Sequence, residues 1–409
     1  MRFQNHSAFF AAVNSLIGSV LMALAVCVVL CYGQPAGAQQ PDSPKTPTRD
    51  EPGRPGGGGR GDGRRGLLAE MTAFKTEVPS RSIDVVLARP THKSITVSVA
   101  CYEDQPHEGY IEFRRDDAAP ITKTTMQPLP AGKPVLFTLD ALNPDTAYVY
   151  RVRYRRAAGG SGAPGEFVST EYFAFRTARP SGKDSGFTFT IQADSHLDQG
   201  VEPKVYEQTL ANMLPPSAPT RPDVLIDLGD TFMTDKRGRE FKAALPQYDA
   251  QRYYFSRVAH SVPLFMVLGN HDGEKGTSGT GADDIGPWSY EQRTSRFPQP
   301  VTGAETLGDG TFYTGFTAMK DGVGSNYYAF EWGDAVFIVL DPYWSTTERI
   351  RGGGGGGNRG AGGGQREGGG GQGGQGGQRP NDEPLKPTDS SWTSTLGRTQ
   401  YDWLTTTLE

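Results

Sequence analysis

Three short apolar runs, each followed at once by a turn crowded with acids and histidines, limit what this chain can fold into more than any other feature. Residues 187–191 (FTFTI), 224–228 (VLIDL) and 262–268 (VPLFMVL) carry the aromatic, aliphatic and β-branched content of buried strands. They lead into Asp194-Ser195-His196, Gly229-Asp230 and Gly269-Asn270-His271-Asp272. Helical stretches near residues 203–214 and 248–260 separate them. The order is therefore β-α-β-α-β, with every motif at the carboxyl end of a strand. That is the end at which open α/β sheets gather ligands, because the loops there aim side chains into one crevice.

The residue types suit metal chemistry. Carboxylate oxygen satisfies a hard divalent cation, imidazole suits transition metals, and one carboxylate shared between two ions holds them close enough for in-line displacement at phosphorus. Asp230 is the natural bridge. Asp-x-His alone arises by chance and Gly-Asp alone carries little. All three motifs in order, with helices between, are a strong signal.

Taken in this order the motifs resemble the calcineurin-like metallophosphoesterase family, which includes the purple acid phosphatases. The resemblance implies an α/β domain of two mixed sheets flanked by helices. It makes Asp194 and His196 ligands of a first metal, Asp230 the bridge and Asn270 a ligand of a second. His271 would face the leaving-group oxygen as a general acid or transition-state stabiliser, with Asp272 orienting its ring. Two divalent ions (manganese, iron or zinc) would activate a hydroxide to attack a small-molecule phosphate ester. Thr231, Phe232 and Met233 stand where a purple acid phosphatase has its iron-binding tyrosine, and His196 has no counterpart in that subfamily's first motif. The site is thus similar to the broader, non-purple members.

The family pattern also needs three later histidines, one alone and a Gly-His-x-His pair. The histidines here are His6, His92, His107, His196, His260 and His271. Residues 326–341 (NYYAFEWGDAVFIVLD) resemble the strand pair before the family's last helix, and Tyr401, Leu404 and Leu408 recur at helical spacing. The expectation is an α/β unit over 185–409 that is incomplete at its C-terminus, so that this chain is a poor catalyst. The other reading is a non-catalytic surface or binding protein with a degenerate phosphoesterase domain.

Residues 1–38 read as a signal peptide: Arg2, an apolar stretch over 16–31, and the small-residue triplet Ala36-Gly37-Ala38. This implies a secreted, periplasmic or otherwise extracytoplasmic protein. An uncleaved membrane anchor through residues 9–32 is the alternative. After cleavage Cys101 is the sole cysteine, which excludes an intramolecular disulfide. Residues 39–66 are proline, glycine and arginine with almost nothing apolar, the composition of a disordered linker, which is taken to run over 39–79. Arg60-Gly61-Asp62 within them is a coincidence of that composition. The net charge of −5 and the lack of a basic patch argue against a nucleic-acid partner.

Residues 80–180 alternate as strands, notably 94–100, 109–114 and 135–139, and form a separate β unit. Leu142-Asn143-Pro144-Asp145-Thr146-Ala147-Tyr148 resembles the tyrosine corner of a fibronectin type III sandwich. Two insertions follow in the α/β unit. Residues 274–323 are either a substrate-facing lid or a folded excursion that packs its own aromatics. Residues 352–378 are nearly pure glycine, a flexible loop. His92 and His107 are expected at the surface, and His260 as a helix C-terminal histidine favoured by the dipole.

Overall fold

The computed structural model describes residues 27–31, 77–159, 163–182, 186–198, 203–214, 221–274, 284–300, 313–314, 317–319, 322–324, 326–343 and 396–408. The first strand, β1 (Cys27–Cys31), pairs with a strand far along the chain. Then come β2 (Ile83–Ala88), β3 (Ile95–Cys101), β4 (His107–Arg114), β5 (Thr122–Lys123), β6 (Gln127–Leu129), β7 (Val135–Leu139), β8 (Ala147–Arg156), β9 (Val168–Ser169) and β10 (Phe173–Arg176). Apart from β1, the expected leader and almost all of the linker fall outside the described residues, as does the glycine-rich 352–378. Among the described residues no helix is long and apolar enough to cross a membrane.

Two antiparallel sheets make up the N-terminal unit, β2-β3-β7 and β10-β8-β4-β5 with β6 and β9 alongside. Period-two alternation decides which side chains meet between them. In β8, Tyr148, Tyr150 and Val152 are buried while Arg151 and Arg153 lie on the other face. Val85, Leu87, Val97, Val99 and Phe137 of one sheet close a single core with Ile111, Phe113, Tyr150 and Val152 of the other. The Asn143 amide donates to the Tyr148 hydroxyl at 2.9 Å, pinning the crossing loop to the start of β8.

The second unit runs β11 (Phe189–Gln192), α1 (Pro203–Met213), β12 (Val224–Asp227), a 3-10 segment (Thr234–Ala244), α2 (Leu245–Ala259), β13 (Leu264–Met266) and α3 (Ile285–Arg296). Short strands β14 (Tyr313–Thr314), β15 (Thr317–Met319) and β16 (Gly322–Gly324) precede β17 (Tyr328–Trp332), β18 (Ala335–Val339) and α4 (Arg398–Leu408). The parallel sheet β11-β12-β13 faces the antiparallel sheet β1-β18-β17-β14, so the core combines both strand senses. Val224, Ile226, Phe265 and Val267 pack on Tyr328, Phe330, Trp332 and Phe337. Phe265 stacks on Phe330 with ring centres 3.7 Å apart, and Phe330 on Phe337 at 4.7 Å. Helices α1 and α2 cover the outer face of the parallel sheet through Leu210, Tyr254, Phe255 and Val258. On the far side α4 covers Ala329 and Ile338 with Leu404, and Gln400 bonds both the amide and the carbonyl of Asp341.

The two units share a polar, buried seam. Arg252 of α2, 1% exposed at its side chain, pairs with Asp84 of β2 at 2.6 Å and donates to the Ser98 carbonyl at 3.0 Å. Asp84 also accepts from Arg81 and from the Tyr102 hydroxyl. The Tyr150 hydroxyl donates to the His260 carbonyl at 2.6 Å. Two expectations are corrected here. His92 is buried at 2% exposure, not at the surface. His260 is not a dipole-favoured cation: burial, with Arg221 and Arg257 adding to it, pushes its pKa down to about 4. Its ring lies against Phe173 and its Nδ1 bonds the Ser261 hydroxyl.

Candidate metal centre

The two loops after β11 and β12 are laced together by their own backbones. Asp194 N–H donates to the Gly229 carbonyl at 3.1 Å, His196 N–H to Asp230 at 3.1 Å and Leu197 N–H to Thr231 at 2.9 Å. This needs left-handed backbone at Asp194 (φ 53°), His196 (φ 42°) and Asp230 (φ 54°). Such conformations cost a non-glycine residue on the order of 1–3 kcal/mol and persist where the surroundings impose them, often at functional sites. Gly229, at φ 85°, approaches the third loop so closely that a Cβ there would collide with the Gly269 amide and the Asp272 carboxylate. A Cβ at Gly269 would in turn strike the Asp230 carboxylate.

The result brings Asp194, His196 and Asp230 together, with one potential ligand atom from each within 4.8 Å of the others. His196 Nε2 lies 3.5 Å from Asp194 Oδ1 and 4.0 Å from Asp230 Oδ2. Beside them, Asn270 follows Gly269 in the third loop, and its Oδ1 is buried with no hydrogen-bond partner. His196 Nε2 is buried and unbonded as well. Unpartnered buried polar atoms are expensive unless something absent from the protein chain binds them.

Carboxylates accumulate here, and burial with their mutual repulsion outweighs the opposing influence of His271 and His196 on Asp230. Burial lifts the Asp230 carboxyl above the usual range, and the Asp194 charge adds to this against the opposing His271 amide. Asp227, wholly buried beneath the loops, is raised to about 7 by burial first, then by Asp230 and Asp194. Asp272 is raised well above its ordinary value by burial and by Asp230. Cations binding among these groups would relieve this repulsion and hold the carboxylates ionised. The donor set thus fits divalent metal: two carboxylates, one imidazole and an amide oxygen.

The expected role of Asp272 is corrected. It does not reach the His271 ring, since its Oδ2 accepts from the Gly269 amide at 2.7 Å and the Asp230 amide at 3.2 Å. The side chain turns inward to fasten the loops. The carboxylate on the ring is Asp235, whose Oδ1 meets His271 Nδ1 at 2.7 Å. Asp235 sits in the 3-10 segment and its own amide donates to the His271 carbonyl at 3.2 Å. Sequence reasoning missed it, and an acid five residues after Asp230 carries no local signal. The rings of His196 and His271 stand 6.1 Å apart, and the His271 amide donates to Asp230 Oδ1 at 2.7 Å.

Behind the third loop, Glu274 forms a two-pronged ion pair with Arg293 of α3, at 2.5 and 2.8 Å. Arg293 also donates to Asn326 at 2.7 Å. Trp288 of α3 packs edge-on against Phe241 and Tyr248. Glu274 and α3 are therefore a packed brace behind the third loop.

Residues 187–346 match the family model of the calcineurin-like phosphoesterases. Among solved structures, the chain is similar to a purple acid phosphatase from yellow lupin (Lupinus luteus) seeds, with 17% identity, 56% of this chain and 42% of that chain covered, and a TM-score of 0.42. It is also similar to PhoD, with 13% identity, 58% and 51% covered and a TM-score of 0.38. A fibronectin type III domain of human fibronectin type III domain containing protein 3 matches with 21% identity, 27% and 95% covered and a TM-score of 0.16. The chain spans about half or less of the lupin phosphatase and of PhoD. The comparison with curated proteins gives no match.

Proposed function

We infer, with residues 187–346 forming a calcineurin-like phosphoesterase domain, that this chain belongs to an exported, metal-dependent hydrolase of small phosphate esters. The observation that carries the reading is the cluster of Asp194, His196 and Asp230 at the ends of parallel strands, beside the unpartnered oxygen of Asn270. Asp194, His196 and Asp230 would hold one divalent ion, and Asp230 with Asn270 a second; manganese, iron and zinc all suit these donors. Bound there, the ions would acidify a water and offset phosphate charge. The chain's own groups do the rest. His271, with Nδ1 tied to Asp235, has Nε2 left to donate a proton to the departing oxygen. Asp272 and the two glycines keep the three loops in register around it.

Export rests on the leader-like pattern of residues 1–38. The N-terminal unit, with its pinned Tyr148, is read as a fibronectin type III-like scaffold beside the catalytic domain. Because Asn270 and the shared Asp230 are the second ion's donors among the described residues, that ion is held weakly and turnover by this chain is low.

Metal analysis together with hydrolysis of p-nitrophenyl phosphate tests the reading, with Asp230→Asn as the variant. One tightly held ion per chain is expected, with metal-dependent turnover. Asp230→Asn is expected to lose more than the roughly 10–100-fold typical of an outer-sphere partner. Full metal content and turnover in Asp230→Asn would refute it.

A further inference from the structure

The strands that carry the metal loops at one end meet a separate recess at the other. A cavity of about 830 Å³ opens where β10 of the N-terminal unit faces α1 and the last turn of α2. Arg221, just ahead of β12, and Arg257, in the last turn of α2, both line it, and so does Lys204 of α1. None of these three cations forms an ion pair with any described residue. Arg221 is steadied by one hydrogen bond to the Ala174 carbonyl at 3.2 Å. Of the acids on the wall, Glu207 is engaged with the Tyr253 hydroxyl, and Glu171 lies at the exposed rim.

Apolar surface accompanies the charge. Phe173 and Tyr253 line the recess, and Phe173 lies tilted against the His260 ring with centres 4.3 Å apart. His260 registers the local field: after burial, Arg221 and Arg257 are the next influences holding it neutral. Both guanidiniums and His260 line this one recess.

We propose that this recess binds an organic oxyanion, Arg221 and Arg257 holding the anionic head and Phe173 and Tyr253 contacting an attached apolar group. A guanidinium pair suits a sulfonate, phosphonate or carboxylate through paired N–H donors, and a concave, partly aromatic wall suits the apolar remainder. The recess is separate from the metal centre. Eight residues of largely extended chain separate Arg221 from Asp230, a span of roughly 25–30 Å. A ligand there would touch β10 of the N-terminal unit and both helices of the catalytic unit at once.

The probe is benzenesulfonate, an aryl oxyanion with little affinity for divalent metal, titrated into the full chain by calorimetry. Selectively labelled histidine reports on His260 by NMR. Saturable binding at one site is expected, weakened about tenfold by Arg257→Gln or by Arg221→Gln, as loss of one charge-assisted hydrogen-bonding group predicts. Asp230→Asn should bind it unchanged, and the His260 titration should move to higher pH as the ligand neutralises the nearby guanidiniums. Both arginines are exposed, so Arg257→Lys, which keeps the charge, serves as a folding control and should retain most affinity. Absence of saturable binding, binding indifferent to both arginine substitutions, or an unmoved His260 resonance would each overturn the proposal, as would loss of binding in Asp230→Asn.

Discussion

His271 and Asp235 are 36 residues apart in sequence; in the proposed mechanism the Asp235 carboxylate would hold Nδ1–H and fix the ring while Nε2 of the doubly protonated ring gives up its proton. Asp235→Asn should lower kcat by roughly 10–100-fold, the usual effect of an outer partner, while leaving bound metal unchanged. Steady-state kinetics with metal analysis on the same samples checks this, and a shifted limb in the pH–rate profile would mark the altered imidazole. His260 makes a different prediction. Its folded pKa, pushed to about 4, lies below the unfolded value near 6.5. The unfolded chain therefore takes up this proton first as pH falls, and stability is lost between about pH 6.5 and 4. The loss is on the order of 3 kcal/mol. Urea denaturation at pH 7.5 and 5 should show it, and His260→Gln should flatten that part of the dependence.

Among the elements, α3 supports the metal loop through a buried ion pair. Removing one partner of such a pair leaves the other charge stranded, which typically costs about 3–5 kcal/mol. Arg293→Ala should therefore destabilise the protein by that amount in thermal or chemical unfolding, and Glu274→Leu with Arg293→Met should recover most of it. The strands and helices that place the metal residues were legible because apolar period and length are local properties. The expected runs 224–228 and 203–214 appear as Val224–Asp227 and Pro203–Met213. The run at 262–268 shrinks to Leu264–Met266, in keeping with Pro263, which has no amide to give to a ladder. The grouping of Asp194, His196 and Asp230 was legible for the same reason, since each of them follows its strand. Partners chosen by tertiary packing were not. The family resemblance implied Asp272 for the His271 ring, but its carboxylate turns to the backbone amides of Gly269 and Asp230 and leaves the ring to an acid from another loop. His92, too, gave no sign of its burial.

At the level of the whole molecule, Arg252 and Asp84 join the two units through a contact that water does not reach. Arg252→Ala removes one of the two guanidiniums on Asp84, which keeps Arg81 and the Tyr102 hydroxyl, and should cost about 1.5–3 kcal/mol, the worth of a hydrogen bond to a charged group. In a melting experiment the two units should then unfold in separate steps, where the parent unfolds in one. The joint also has an order in time. Asp84 is synthesised 168 residues before Arg252, a gap of roughly 8 to 34 s at ordinary ribosomal rates. During that interval the newborn β unit holds a hydrated carboxylate on the face that α2 will later cover. It must fold with that patch wet, and so it waits as a docking template for the helix that completes the enzyme-like half.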